Sequence, residues 1–205
     1  ARVVPTGYAG IRAYVAEWVG RWVRENNALL VWPAENSGDS YDAFDWPSVI
    51  IVGGTDLENQ RAPSSCFGRA IDLAAPAVNI YSTHLGRVYG MSSGNSFSAP
   101  QVAGALALML SVAPELSPAQ AESALKLACT PLDGQQLGAG LLNIAEAVRL
   151  GSRVDVNRDS FIDWADYAGF VDAFEDGSSL ADINNDGFVD FFDYDWFIRL
   201  FEGTW

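Results

Sequence analysis

Apolar residues recur at helical spacing through Ile11, Val15, Trp18, Val19, Trp22 and Val23, while Arg12, Glu17, Arg21, Arg24 and Glu25 fill the positions between them. This period predicts an amphipathic helix of roughly four turns, with Trp18 and Trp22 on its apolar face. The pattern then changes. Ala28–Trp32 and Pro47–Gly54 are short, nearly continuous apolar runs and read as buried strands. Ile71–Pro76 and Asn79–Thr83 are shorter strand candidates. A long apolar helix is expected from Gln101 to Leu110, another from about Ser117 with Pro118 in its first turn, and a last one after Asn143. Strands that alternate with helices predict an α/β domain built on a mostly parallel sheet.

Charge changes this picture near the C-terminus. The 205 residues carry a formal charge of −14, from 26 acidic and 12 basic side chains. Half of the acidic residues, against only Arg153, Arg158 and Arg199 as bases, fall after residue 150. A composition shift this sharp predicts a boundary near Gly151, with one domain over residues 1–150 and a small second one over 151–205. The acidity argues against nucleic acid as a partner, because phosphates would be repelled. No apolar run reaches the length of a membrane span, and no signal peptide is visible. Cys66 and Cys129 permit one disulfide or two separate buried thiols, and spacing does not choose between them.

The most chemically informative stretch is Gly94-Asn95-Ser96-Phe97-Ser98-Ala99-Pro100, which ends a loop and opens the long apolar helix. A serine there sits at the positive end of a helix dipole. The stretch resembles the nucleophile motif of subtilisin-like serine peptidases, Gly-Thr-Ser-x-Ser/Ala-x-Pro, with Asn95 in place of the usual Thr. Four more blocks resemble the same family in order. Val31-Trp32-Pro33-Ala34-Glu35-Asn36-Ser37-Gly38 is similar to the strand end that presents its oxyanion asparagine. Trp46-Pro47-Ser48-Val49-Ile50-Ile51-Val52-Gly53 is similar to Tyr-Pro-x-Val-Ile-x-Val-Gly. Phe67-Gly68 with Ile71–Pro76, and Gly138–Asn143, match two further motifs. The resemblance implies a partial subtilisin-like sheet with flanking helices, Ser96 as nucleophile, and Asn36 as oxyanion donor beside the Ser96 backbone N–H. A polypeptide is the implied substrate. Glu35, Pro33, Ala77 and Gln101 depart from the family pattern, and Glu35 would attract a basic substrate side chain or fill the pocket.

A serine hydroxyl needs a base, and the base needs an orienting acid. In this family both lie upstream of the oxyanion asparagine, yet residues 1–35 contain neither Asp nor His. The only histidine, His84, is expected in a surface loop after a strand. The chain is therefore expected to start partway into the domain, inactive alone, with a complementary chain or an N-terminal half supplying Asp and His. Standing alone, it should expose a sheet edge near residues 28–32 and 48–53.

The acidic segment holds a repeated twelve-residue pattern. Asp155, Asn157, Asp159, Asp163 and Asp166 recur 27 residues later as Asp182, Asn184, Asp186, Asp190 and Asp193. These are oxygen donors at positions 1, 3, 5, 9 and 12, with backbone carbonyls expected at position 7 from Phe161 and Phe188, and the spacing suits Ca²⁺. Gly187 meets the turn requirement at position 6, where the first loop has Ser160. Tyr167, Phe170 and Phe174 are followed in register by Tyr194, Phe197 and Phe201. Two loop–helix units without a leading helix resemble a dockerin, a small all-α calcium module, which implies two Ca²⁺ ions and a cohesin-like partner. Trp164-Ala165 and Phe191-Phe192 stand where that family carries a small polar recognition pair. The whole reads as a secreted, extracellular peptidase fragment with an attachment module. The rival is a non-catalytic extracellular scaffold or assembly protein built on the same fold.

Overall fold

Runs without polar interruption make strands buried on both faces, and the longest such run becomes the middle of the sheet. The computed structural model describes residues 2–7, 10–159 and 161–204. It consists of two compact units, Ala1–Gly104 with Cys129–Leu142, and Ala105–Ala128 with Asn143–Trp205.

In the first unit β1 (Val3–Pro5), β2 (Leu29–Pro33), β3 (Val49–Thr55) and β4 (Leu73–Pro76) lie in that order, all parallel. Val3 is opposite Leu29, Leu30 opposite Val49, and Val52 opposite Leu73. Every residue of β3 is buried. β1 is too short to show a period, and the sequence reading missed it. Its presence corrects the expected open edge: β2 and β3 have a partner strand on both sides, β1 is the outer strand beside β2, and β4 meets a bridge at Leu141 on its outer side. Parallel neighbours need a crossover, and α1 (Val15–Glu25) supplies it between β1 and β2. The segment after Cys129 returns to β4, where Leu142 N–H donates to Ala74 O and Ala74 N–H to Gly140 O, both at 2.8 Å. β4 leads into a hairpin of β5 (Ile80–His84) and β6 (Val88–Ser92).

α1 does not bury the face its period suggests. Trp18 and Trp22 are 66% and 61% exposed, whereas Ala16, Glu17, Gly20 and Val23 are buried. The reason is steric and polar. Gly20 lets the helix approach the chain before β3 so closely that a Cβ there would lie 2.7 Å from Ser48 O. Glu17, beside it, accepts hydrogen bonds from Ser48 N–H and Ser48 Oγ, each at 3.1 Å, and pairs with Arg21 at 2.7 Å. Periodicity measures where apolar residues are, not where the backbone can approach.

α2 (Ser98–Val112) starts in the first unit and ends in the second. The second unit continues with α3 (Pro118–Leu127), α4 (Ile144–Gly151), α5 (Trp164–Glu175) and α6 (Phe191–Glu202). The acidic segment beginning at Gly151 thus shares a unit with earlier helices. Ser117 caps α3 in a capping box with Gln120, and Asn143 caps α4 through Glu146 N–H. From α3, Gln120 donates to Phe201 O at 2.8 Å, and Ser123 Oγ donates to Thr204 O at 2.7 Å, which satisfies carbonyls at the end of α6. The duplicated halves meet through equivalent residues. Phe170 stacks on Phe197 with centroids 3.9 Å apart, and the Tyr167 and Tyr194 hydroxyls are 2.9 Å apart.

Candidate active site

Two strand ends and one helix start build this site. β6 runs into Gly94, whose φ of 140° is a conformation for glycine. Gly94 N–H donates to Ala77 O at 2.7 Å, the chain makes a single 3-10 turn over Asn95–Phe97, and α2 begins at Ser98. Ser96 is exposed on that turn. Ser98 Oγ donates to Ala75 O at 3.0 Å, and Gln101 Nε2 donates to Pro76 O at 2.8 Å, so the helix start is tied to the end of β4. Gln101, a departure from the family pattern, is thereby a structural fastening.

From β2 the chain leaves through Ala34 and Glu35 to the exposed Asn36. Asn36 Oδ1 accepts the Asn95 backbone N–H at 2.9 Å, across 59 residues of sequence. A backbone N–H can meet only the carboxamide oxygen, so this bond fixes the side chain and leaves the Nδ2 hydrogens for another acceptor. Ser96, the Asn36 carboxamide and the head of α2 are thus gathered at one place. That set can offer a hydroxyl and amide donors to a developing oxyanion.

The loop after Asn36 is held by charge. Arg12 pairs with Glu35 at 3.2 Å and with Asp39 at 2.9 Å, and lies over the Tyr41 ring at 4.8 Å. Glu35 also accepts the Gly10 N–H at 3.1 Å. Its carboxylate is therefore engaged within the chain by Arg12 and the Gly10 N–H. A hydrogen bond from Ser37 and the Arg12 guanidinium hold Asp39 below the usual carboxylate range. Burial pushes the Cys66 thiol up, but hydrogen bonds from Ser37, from the Asp39 backbone and from Tyr41 outweigh it and hold the thiol below its usual range. Cys66 and Cys129 are both buried and unbonded to each other, which decides for two thiols.

His84 is the last residue of β5, opposite Val88, and not in the loop beyond a strand. The strand runs that far because β6, which the sequence reading did not find, pairs with it. His84 Nε2 meets Ser92 Oγ at 3.2 Å, so its hydrogen-bond partner is Ser92 and not Ser96. The sequence also gave no sign of what Asn95 does, since its side-chain partners Ala34, Glu35 and Ser65 lie far away in the chain.

The family model described as "Subtilase family" matches residues 7–143. The chain belongs to the subtilase family. Subtilisin BL from Lederbergia lenta is 38% identical over 124 residues, which cover 59% of this chain and 46% of that protein. A subtilisin from Bacillus pumilus is 35% identical over 153 residues, covering 71% and 54%. The chain thus spans about half the length of the curated relatives it matches. Among solved structures, a protease from Pseudoalteromonas arctica superposes with a TM-score of 0.67 at 27% identity, covering 74% of this chain and 52% of that one. The prenylagaramide maturation protease PagA gives 0.63 at 26%, covering 72% and 61%. The mixed α/β fold with its parallel sheet is that of the subtilases, and the match extends over the residues that carry Ser96 and Asn36.

Beyond the subtilase part, the two acidic loops have one internal order. Asp155 Oδ1 and Asn157 Oδ1 both accept the Asp159 N–H, at 3.1 and 2.9 Å. Asp182 Oδ1 and Asn184 Oδ1 both accept the Asp186 N–H, at 3.2 and 2.9 Å. Asp159 and Asp186 in turn accept the Phe161 and Phe188 N–H groups at 2.9 Å. Asp163 and Asp190 cap α5 and α6, each in a capping box with the fully buried Asp166 or Asp193. Asp166 accepts from Val156 N–H at 2.8 Å, and Asp193 from Asn184 N–H at 3.0 Å. The donors at positions 1 and 3 therefore converge, and all are hard oxygens of the kind Ca²⁺ prefers. Among the described residues no three His, Cys, Asp or Glu side chains form a metal-holding group. Ser160 lies outside the described residues. No helix among them is long and apolar enough to cross a membrane.

Proposed function

We propose that this chain carries the nucleophile and the oxyanion donor of an extracellular subtilisin-like serine endopeptidase, whose acid and base come from residues outside it. The observation that supports this most directly is the 2.9 Å bond from Asn95 N–H to Asn36 Oδ1, which brings the turn of Ser96 to a carboxamide whose Nδ2 is left to donate. In the mechanism, Ser96 Oγ attacks a substrate carbonyl while a histidine base supplied from elsewhere takes its proton. The carbonyl oxygen becomes an oxyanion and accepts from Asn36 Nδ2 and the Ser96 N–H. The dipole of α2 favours that negative charge at its head.

The acidic module, in this reading, is dockerin-like and binds two Ca²⁺ ions. Asp155, Asn157, Asp159, Asp163, Asp166 and the Phe161 carbonyl would hold one. Asp182, Asn184, Asp186, Asp190, Asp193 and the Phe188 carbonyl would hold the other. Each ion would offset the mutual repulsion of its carboxylates. A cohesin-like or other extracellular protein is the partner it would attach to, with Trp164 and Phe191 exposed beside the loops.

Labelling with a serine-reactive fluorophosphonate, read by mass spectrometry, tests the catalytic reading. The 205-residue chain alone should label only slowly. A longer form, or the chain joined by a polypeptide bearing the family's Asp and His motifs, should label stoichiometrically at Ser96. Failure of the complemented protein to label would overturn the reading and favour a scaffold on the same fold.

A further inference from the structure

We propose that Asn95 is the positioning residue of this site, and that Gly54 is bare in order to admit its side chain. The inference rests on the reading that Asn36 and Ser96 act together.

Asn95 is only 1% exposed. Its Nδ2 carries two hydrogens and lies 3.2 Å from Ala34 O, 3.1 Å from Glu35 O and 3.2 Å from Ser65 Oγ, so that one hydrogen is shared between two of these acceptors. Ala34 and Glu35 are the two residues that lead to Asn36. The Asn95 backbone N–H holds the Asn36 side chain itself. One residue therefore grips both the main chain and the carboxamide of the oxyanion donor, and it is covalently joined to Ser96. A threonine hydroxyl, with a single hydrogen, could not donate to two carbonyls at once. Ser65 Oγ completes the clamp: it accepts from Gly54 N–H at 2.9 Å as well as from Asn95, and donates to Cys66 O at 3.0 Å.

The other end of the Asn95 side chain explains Gly54. Asn95 Oδ1 is buried without a hydrogen-bond partner, an arrangement that proteins rarely keep. It points at Gly54, where an added Cβ would overlap both Asn95 Oδ1 and Ala77 Cβ. Asn95 and Ala77 are two of the positions where the chain departs from the family pattern. Both project into the volume that a side chain at residue 54 would occupy. The three residues thus form one coupled set, in which the absence of a side chain on β3 makes room for a larger anchor beneath the catalytic turn.

Nuclear magnetic resonance on the 205-residue chain tests this without any turnover. Hydrogen exchange of the Asn95 amide and the chemical shifts of the Asn36 carboxamide are the readouts. Asn95→Ala and Gly54→Ala should each speed exchange at that amide by about tenfold or more and move the Asn36 carboxamide signals. The compensated variant Gly54→Ala/Ala77→Gly/Asn95→Thr relieves the crowding and should fold, yet without the double grip it should keep the residue-95 amide less protected and the Asn36 signals displaced from those of the parent. A merely structural role for Asn95 would lower stability yet leave the Asn36 signals in place, and that result would overturn the proposal. So would a Gly54→Ala chain with unchanged exchange and signals. Should Gly54→Ala fail to fold, the compensated variant must still fold, and its failure also counts against the coupling. A chain that shows the clamp, in a complemented protein that never labels at Ser96, would sink the peptidase reading alone.

Discussion

Asn36 and Asp39 sit three residues apart and do different work. Asn36 offers Nδ2 because its oxygen is already bonded to Asn95. In the complemented enzyme, Asn36→Ala should lower kcat by about 10²–10³ while KM barely moves, since such a donor matters chiefly in the transition state; this magnitude comes from a subtilisin and not from this chain. Steady-state kinetics on a peptide substrate would check it. Asp39 anchors the loop behind Asn36 through Ser37 and Arg12. Its folded value is depressed, so its stabilising contribution is complete above its unfolded value of roughly 3.9 and is lost as pH falls through the lower folded value. Melting temperature followed from pH 6 to pH 2 should therefore fall less steeply in Asp39→Asn than in the parent. An identical slope in both would contradict this account. Motif spacing made Ser96 and Asn36 legible. Asn95 was legible only as a departure, because its side-chain partners come from residues 34, 35 and 65.

At the scale of elements, α1 separates what a period can say from what it cannot. The sequence predicts a helix here and is right, but packing rotates it so that Glu17 and Gly20 face inward. Trp18→Glu with Trp22→Glu should therefore change stability by no more than about 0.5 kcal/mol, as for exposed positions generally. Glu17→Ala should cost about 1–3 kcal/mol, because it strands the Ser48 N–H that Glu17 accepts. Urea denaturation of both variants decides between the two faces, and a larger loss in the tryptophan pair would restore the periodic reading. The starts of α3 and α4 were readable because they are local: Ser117 and Asn143 accept from N–H groups three residues on, and Pro118 suits a first turn whose N–H needs no partner. β1 and β6 were not, since segments of three and five residues are too short to show a period and become strands only when a partner strand lies alongside.

For the whole molecule, the uneven charge is the property to test. Thirteen of the 26 acidic side chains lie beyond residue 150, and the loops fold many of them inward on their own backbone. Proximity of like charges costs free energy that a bound cation would offset. Calorimetric titration of the full chain with Ca²⁺ should give two ions, and Asp182→Ala should give one. Each site held at 100 times its Kd should add about 2.7 kcal/mol to the stability of the unit that contains it. Unchanged circular dichroism and melting after chelation, or a stoichiometry below one, would refute the calcium reading. The repeated spacing of the acidic and amide side chains was itself legible in the sequence.

By itself the sequence determined the family, the alternation of strands and helices and the duplicated acidic loops, and it singled out Ser96 and Asn36 as candidates. Each is a local pattern, or a motif whose members stand close together in the chain. The tertiary structure alone decided which face of α1 is buried, that β2 and β3 are interior strands, that the two cysteines stay apart, and that Asn95, Ala77 and Gly54 share one volume. Each of these depends on how closely two backbones separated by tens of residues approach each other. That distance is set by packing, and no local pattern of residues encodes it.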